Sequence, residues 1–341
     1  MRSTVRTALL MPWWLASLAT GSKSFADHPL IGSRRLNQAG LHVGRVRLAH
    51  AMARSRRRRL SAHLSPALRE AFDRDGYVIV RDFLPPDTFA ALLKKLRTWQ
   101  GPCRETRQGN TITRRMPIDR QMLAAIPGLG EVLKHPDWRG LTRYASTFDC
   151  EPISYIQTIL ASADPRRPDP QVNLHADAFQ PSAKAWLFLE DVSEKSGPLT
   201  YVRGSHRLTP ERLEWERSMS LRAQQADRLT ARGSFRITRD ELGQLGLPPP
   251  TALAVPANTL IVADTFGFHA RAPSLQPSTR VELWGYARRN PFLPWTGLAP
   301  LSTKALAPQR AHLYWRTRDL LASIWGQPWR DTGPKGPFDP V

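Results

Sequence analysis

Residues 259–269 read TLIVADTFGFH and residues 278–286 read STRVELWGY, and these two stretches decide the fold class. Each contains a short run rich in β-branched and apolar residues, and Pro and Gly separate the runs. Runs of the same kind occur from residue 152 onward, at 153–160, 184–189, 199–202 and 251–255. Short strands without an alternating strand–helix rhythm predict an antiparallel β sandwich or barrel.

The sequence before residue 152 predicts mostly helices. A Gly turn after a helical stretch predicts a helix-to-strand entry over 71–81, and Pro85-Pro86-Asp87 predicts the start of another helix. Residues 101–120 are polar and are expected to be irregular. Residues 129–148 predict two helices broken at Pro136. Further on, the charged residues 207–247 predict a helical insertion among the strands, a candidate lid.

Composition restricts the class of protein. The 341 residues are 41% hydrophobic and 23% charged, which excludes a disordered chain, a collagen-like chain and a polytopic membrane protein. The two cysteines exclude a disulfide scaffold and are typical of a reducing compartment. The net charge is +20, and residues 1–63 hold +11 of it, since they contain twelve Lys or Arg and one acid. We call residues 1–63 the N-terminal arm.

The arm allows several interpretations. Its apolar run, residues 8–19, contains Trp13 and Trp14 and is too short to cross a bilayer, which takes about 20 residues. It resembles the apolar part of a signal peptide, but Pro12 and the two tryptophans also suit an interfacial anchor or a strap packed on the domain. Residues 41–63 predict a basic helix that packs through an apolar stripe or contacts anionic lipid through residues 1–60. Nucleic acid is the least favoured partner, because no aromatic platforms accompany the basic residues.

A candidate metal site comes from two separate stretches. His175 and Asp177, spaced by two on an extended segment, turn to the same face. His269 ends an apolar run, and Arg280 begins the next run eleven residues later. Two imidazoles and one carboxylate are the ligand set of non-haem Fe(II) oxygenases, and arginine suits a bound carboxylate. Taken singly, each of these residues is as well explained by an ordinary structural role. Neighbouring antiparallel strands are expected to bring His269 and Arg280 to one cavity.

The pattern as a whole resembles the phytanoyl-CoA dioxygenase family of Fe(II)- and 2-oxoglutarate-dependent oxygenases. The resemblance covers about residues 66–290 and rests on five blocks in order. These are FDRDGYVIVRDFL at 72–84, NLHADAF at 173–179, AWLFLEDV at 185–192, SGPLTYVRGSH at 196–206, and His269 with Arg280.

The resemblance implies a role for individual residues. His175, Asp177 and His269 match the three iron ligands, Arg280 matches the arginine that pairs with 2-oxoglutarate, and Trp186 matches a tryptophan lining the cosubstrate pocket. His206 belongs to a family block but is interpreted as structural, with Gly204 permitting the turn before it. Arg271 departs from the family, which often has a small polar residue there. An Asp at position 177, where related halogenases lack a carboxylate, favours hydroxylation or another oxygenation.

The resulting prediction is a mainly β protein with flanking helices and a double-stranded β-helix (jelly-roll, cupin-like) core over residues 64–290. The arm precedes this domain, and a Pro- and Trp-rich C-terminal tail, residues 291–341, packs on it. The predicted cofactors are Fe(II), 2-oxoglutarate and O2, with hydroxylation of a small or lipid-like substrate and release of succinate and CO2. A cytoplasmic enzyme at the inner membrane face is expected, since iron and the 2-oxo acid are supplied in the cytoplasm. The alternatives are a non-catalytic relative that binds anionic lipid or nucleic acid through its arm, and an oxygenase of this fold that uses no 2-oxo acid.

Overall fold

The computed structural model describes residues 2–162, 164, 166–303 and 306–340. The helices of this part of the chain are α1 (Arg2–Leu18), α2 (Arg34–Gln38), α3 (Leu41–Leu60), α4 (Pro66–Asp75), α5 (Pro86–Thr98), α6 (Arg120–Ala125), α7 (Pro127–Lys134), α8 (Pro136–Ser146), α9 (Pro210–Arg222), α10 (Arg228–Ala231), α11 (Arg239–Gln244), α12 (Arg310–Leu320) and α13 (Ala322–Trp325). None of the helices in the described ranges combines the length and the apolar character that crossing a membrane requires.

The strands form two antiparallel sheets. They are β1 (Tyr77–Val80), β2 (Gly101–Gln108), β3 (Thr111–Pro117), β4 (Ile153–Ala161), β5 (Ala183–Phe188), β6 (Leu199–Tyr201), β7 (Thr251–Leu253), β8 (Thr259–Asp264), β9 (His269–Arg271), β10 (Ser278–Ala287) and β11 (Arg330–Lys335). The major sheet has the order β1-β8-β5-β10-β4-β3-β2-β11, and the minor sheet has the order β7-β6-β9. The predicted double-stranded β-helix core with flanking helices is confirmed, and its major sheet is open rather than closed into a barrel.

Local sequence explains where α4 begins and ends. The hydroxyl of Ser65 accepts a hydrogen bond from the amide of Leu68, and Pro66 occupies the first turn of α4. Gly76 ends α4 in the left-handed conformation at φ 84° and leads directly into β1. The predicted helix-to-strand entry is therefore confirmed.

The alternation of side chains along β10 places the core on both sides of the major sheet. Val281 and Leu283 are fully buried against helices α4–α8 on the outer face. Trp284 points to the inner face, where an aromatic and apolar cluster fills part of the space below the minor sheet. Arg280 and Glu282 also lie on this inner face, so the polar cavity of the protein lies between the two sheets.

The arm packs on the domain through buried residues of both kinds. Val46, Ala49 and Ala53 of α3 are buried, in agreement with the predicted apolar stripe. Arg56 is 2% exposed, and its guanidinium donates to the carbonyls of Thr147, Pro291 and Leu293 at 3.1, 3.0 and 2.7 Å. This arginine ties the arm to the end of α8 and to the start of the C-terminal tail.

One expectation about secondary structure is wrong. Residues 101–117 were expected to be irregular and instead form the hairpin β2–β3, which joins the major sheet through β4. The run contains Arg104, Arg114 and Arg115, whose charges conceal the strand pattern in the sequence. Arg114 can be buried in this strand because its charge is compensated. It pairs with Glu105 at 2.8 Å and donates to three carbonyls of residues 336–340.

Candidate metal and cosubstrate site

The two candidate histidines face each other across a short backbone bridge. The amide of His175 donates to the carbonyl of His269 at 3.0 Å, and the amide of His269 donates back to His175 at 3.0 Å. Residues paired in this way project their side chains to the same face, and the two ring centroids lie 4.6 Å apart. The amide of Asp177 donates to the carbonyl of Thr265 at 2.9 Å, so all three candidates are fixed to the same short stretch of backbone.

The three side chains converge on one point. Oδ1 of Asp177 lies 3.7 Å from Nε2 of His175 and 3.7 Å from Nε2 of His269. The candidate ligand atoms all lie within 4.8 Å of one another, close enough for a single ion to contact all three. Within the described residues, no other group of three His, Cys, Asp or Glu side chains has this proximity.

The hydrogen bonds of both imidazoles prepare them as ligands. Nδ1 of His175 lies 2.7 Å from the carbonyl of Asn173, and Nδ1 of His269 lies 3.0 Å from the carbonyl of Gly267. A carbonyl only accepts, so each Nδ1 carries the proton and each Nε2 keeps its lone pair. Burial is the main cause that lowers the pKa of His269 to about 4 and that of His175 well below its usual value. Both rings are therefore neutral at neutral pH and fit a metal ion.

Asp177 remains a carboxylate although it is half-buried. Burial alone would raise its pKa, but Lys184, His269 and His175 together bring the pKa well below the usual value. Nζ of Lys184 lies 2.7 Å from Oδ2, the oxygen turned away from the imidazoles, and 3.4 Å from Nε2 of His269. Oδ1 of Asp177 thus faces the two imidazoles and could bind a metal, whereas Oδ2 pairs with the ammonium group of Lys184. Neutral imidazole, neutral imidazole and carboxylate form the donor set that suits Fe(II).

Arg280 lies in the same cavity but reaches it differently from the prediction. His269 is on β9 of the minor sheet and Arg280 is on β10 of the major sheet, so they are not on neighbouring strands. They meet because the two sheets face each other. Nε of Arg280 donates to Oε2 of Glu282 at 2.9 Å, and its Nη1 donates to the carbonyl of Gly197.

The other predicted residues also have definite positions. Trp186 is opposite Trp284 in the β5–β10 pairing, and both line the cavity of about 220 Å³ that contains the three candidate ligands. Arg271 lines it as well and pairs with buried Asp169 at 2.5 Å. His206 lies outside the cluster, 5% exposed and packed against Phe72.

The insertion and the arm both build the wall behind the metal site. The amide of Ala176 donates to the carbonyl of Phe235 at 2.9 Å, and the amide of Ile237 donates to Leu174 at 3.0 Å. The candidate lid is therefore hydrogen-bonded to the segment that carries His175 and Asp177. On the same side, Nζ of Lys23 donates to the backbone carbonyl of Asp177.

Several residues of this site were missed by sequence reasoning. Lys23 lies in the arm, far from any motif, and no signal in the sequence links it to Asp177. Lys184 could have been found, because it precedes Trp186 by two on a strand and so shares its face. Gln157 and Glu282 were likewise overlooked, although alternation along β4 and β10 places them on the inner face.

Comparison with known proteins gives one family match. The family model described as phytanoyl-CoA dioxygenase (PhyH) matches residues 72–233. This range includes His175, Asp177 and Trp186 and ends before His269 and Arg280. No curated protein sequence matches the chain.

Similar solved structures are distant. The epimerase SnoN, in complex with Fe3+, alpha ketoglutarate and nogalamycin RO, is 19% identical with a TM-score of 0.43 and covers 64% of this chain and 82% of its own. HygX from Streptomyces hygroscopicus, with nickel and 2-oxoglutarate bound, is 16% identical with a TM-score of 0.41 and covers 66% and 87%. EctD from S. alaskensis, with 2-oxoglutarate and 5-hydroxyectoine, is 16% identical with a TM-score of 0.39 and covers 66% and 77%.

Proposed function

We propose that the protein is an Fe(II)- and 2-oxoglutarate-dependent dioxygenase of the phytanoyl-CoA dioxygenase family, whose model matches residues 72–233, with His175, Asp177 and His269 as its metal ligands. The observation that carries this proposal is the convergence of two neutral imidazoles and one carboxylate in a buried cavity that also holds an arginine. When bound, the iron and 2-oxoglutarate supply the oxidation of a substrate C–H bond by O2, with succinate and CO2 as coproducts.

The protein's own residues bind and orient these groups. Nε2 of His175, Nε2 of His269 and Oδ1 of Asp177 would hold the ion, since all three atoms lie close together in the same cavity. Arg280 offers its guanidinium to the distal carboxylate of 2-oxoglutarate, and Glu282 fixes the orientation of that guanidinium. Trp186 supplies an apolar wall that helps exclude water.

The direct test combines metal binding with turnover. We expect His175→Ala and His269→Ala each to lose Mn(II) binding and Fe(II)-dependent succinate release from 2-oxoglutarate, while circular dichroism shows a folded protein. His206→Ala is the matched control, because His206 is a buried histidine outside the cluster. We expect it to keep both properties as long as it folds.

Three results would contradict the proposal or favour an alternative. Full turnover in either ligand variant would refute the ligand assignment. Absence of succinate from the wild type, together with salt-sensitive binding to anionic lipid, would favour the non-catalytic relative. An Arg280→Ala variant with full activity would favour an oxygenase that uses no 2-oxo acid.

We also propose a cytoplasmic location with peripheral contact to the anionic inner membrane face through the arm. In support, Leu10, Trp13 and Leu15 of α1 are 38%, 66% and 56% exposed. The exposed basic residues of the arm include Arg34, Arg35, Arg47, Arg54, Arg58 and Arg59. Apolar side chains combined with basic residues favour an anionic lipid surface.

Vesicle sedimentation tests this contact. We expect Trp13→Ser with Leu15→Ser to reduce binding to vesicles that contain phosphatidylserine, with turnover unchanged. Leu301→Ser is the control, since Leu301 is 54% exposed but lies in the C-terminal tail. Equal vesicle binding by the double variant and the wild type would exclude α1 as the contact.

A further inference from the structure

Among the described residues that line the cavity between the sheets, one cation has no carboxylate partner. The basic side chains that line it are Arg115, Lys184, Arg271 and Arg280. Three of them contact a carboxylate, in the pairs Lys184–Asp177 at 2.7 Å, Arg271–Asp169 at 2.5 Å and Arg280–Glu282 at 2.9 Å. Arg115 has no carboxylate within 4.0 Å among the residues that the structure describes.

Arg115 is held in place by aromatic rings. Its guanidinium carbon lies 3.9 Å from the ring centroid of Trp284, 4.6 Å from that of Trp329 and 5.4 Å from that of Tyr155. Its Nε donates to Oε1 of Gln157 at 2.8 Å. The two Nη groups donate to no atom of the described part of the chain, so they remain available at the cavity.

A short relay of hydrogen bonds separates Arg115 from the cosubstrate arginine. Nε2 of Gln157 donates to Oε1 of Glu282 at 2.6 Å, and Oε2 of Glu282 accepts from Nε of Arg280 at 2.9 Å. Fully buried Glu282 thus pairs directly with Arg280, whereas the amide of Gln157 lies between Glu282 and Arg115. Burial lowers the pKa of Arg115 to about 10, so the guanidinium stays charged at neutral pH.

We propose that Arg115 binds an anionic group of the substrate, a carboxylate or a phosphate, and that the enzyme acts on small anionic molecules. The inference rests on the proposed dioxygenase function and names the substrate class of the same site. A preorganised guanidinium without a direct carboxylate partner binds an oxyanion through paired charge-assisted hydrogen bonds. Thr106, Gln108 and Thr113 line the same wall and provide further hydrogen-bonding groups.

Acetate and acetamide test the charge, since they have nearly the same shape. We would titrate the Mn(II)–2-oxoglutarate complex without O2 with sodium acetate, acetamide or inorganic phosphate at constant ionic strength, and follow tryptophan fluorescence. We expect saturable quenching by acetate, phosphate or both, and none by acetamide. In Arg115→Met, anion affinity should fall by at least about 30-fold, and Arg115→Lys should restore part of it.

The control variant is Arg104→Met on β2. Arg104 also stacks on a tryptophan, with its guanidinium carbon 4.9 Å from the ring centroid of Trp315, but it pairs with Asp319 at 2.6 Å. We expect it to bind anions like the wild type. Anion affinity that is equal in Arg115→Met and the wild type, or no anion binding at all, would overturn the inference.

Measuring the affinity for 2-oxoglutarate distinguishes a failure of this inference from a failure of the proposed function. We expect Arg115→Met to bind 2-oxoglutarate within about threefold of the wild type. A loss of 2-oxoglutarate affinity as large as the loss of anion affinity would assign Arg115 to the cosubstrate and overturn the inference. Absence of any metal-dependent 2-oxoglutarate binding in the wild type would instead refute the dioxygenase proposal itself.

Discussion

At the scale of single residues, Lys184 has two opposite effects on a metal ion. Its ammonium group holds Oδ2 of Asp177 at 2.7 Å and so fixes the carboxylate, an outer contact of the kind that typically changes metal affinity by about 10- to 100-fold. The same charge lies 3.4 Å from Nε2 of His269 and repels a divalent ion. Even at an effective dielectric constant of about 20, a unit charge beside the ligand atoms of a divalent ion would repel that ion by several kcal/mol. The repulsion therefore outweighs the orienting effect.

The prediction for Lys184 follows from this balance. Lys184→Gln keeps a hydrogen-bond donor and removes the charge, so we expect Mn(II) to bind at least about tenfold more tightly. Electron paramagnetic resonance of free Mn(II) measures the affinity. Lys195→Gln, an exposed lysine on a loop, is the control and should leave Mn(II) affinity unchanged. Weaker Mn(II) binding in Lys184→Gln would mean that orientation dominates.

At the scale of secondary structure elements, the sequence predicts the elements that have a regular apolar pattern. The strands β4, β5, β8 and β10 were all expected, and each is rich in apolar or β-branched residues. The break at Pro136 between α7 and α8 was also expected, and it is confirmed. Local preference and tertiary packing agree in these elements.

The hairpin β2–β3 could not be predicted for a physical reason. Its strands carry arginines whose charges are compensated by residues distant in the sequence, such as Arg104 by Asp319 and Arg114 by the carbonyls of residues 336–340. Single-sequence patterns contain no information on such partners. The same limit hid the proposed role of Arg115, whose aromatic neighbours come from β4, β10 and the C-terminal tail.

The placement of His269 relative to Arg280 shows a related limit. Their spacing of eleven was interpreted as two neighbouring antiparallel strands, but the chain crosses from the minor to the major sheet between them. The functional conclusion, that both reach one cavity, did not depend on this error. A facing pair of sheets and a neighbouring pair of strands produce the same spacing, so only the topology distinguishes them.

At the scale of the whole molecule, segments outside the family match enclose the core. The arm supplies Phe25, Ile31 and Lys23 next to the metal site, and β11 of the tail pairs with β2 beside the cavity. Removing the whole arm would therefore expose buried apolar residues and leave Thr147, Pro291 and Leu293 without the donor Arg56. For this reason the membrane contact is best tested with substitutions on α1 rather than by deletion.

Several histidines are buried, and their burial makes the stability of the folded protein depend on pH. Burial first, and then Arg57 and Arg207, lower the pKa of His206 to about 3, and burial is also the main cause of the low pKa values of His50, His175 and His269. In the unfolded chain a histidine has a pKa of about 6.5. Between about pH 6.5 and pH 3, His206 is therefore protonated only in the unfolded state, so the unfolded state binds more protons and stability falls as the pH falls.

The size of this effect can be measured on metal-free protein. Each such histidine contributes up to about 1.4 kcal/mol of lost stability per pH unit within its window. We expect the free energy of unfolding, from urea denaturation between pH 7 and pH 4.5, to fall steeply in the wild type. In His206→Gln the slope should be smaller by close to one proton. His63→Gln is the control, because His63 is exposed. A slope in His206→Gln equal to that of the wild type would show that His206 is protonated in the folded protein, with its charge stabilised despite burial.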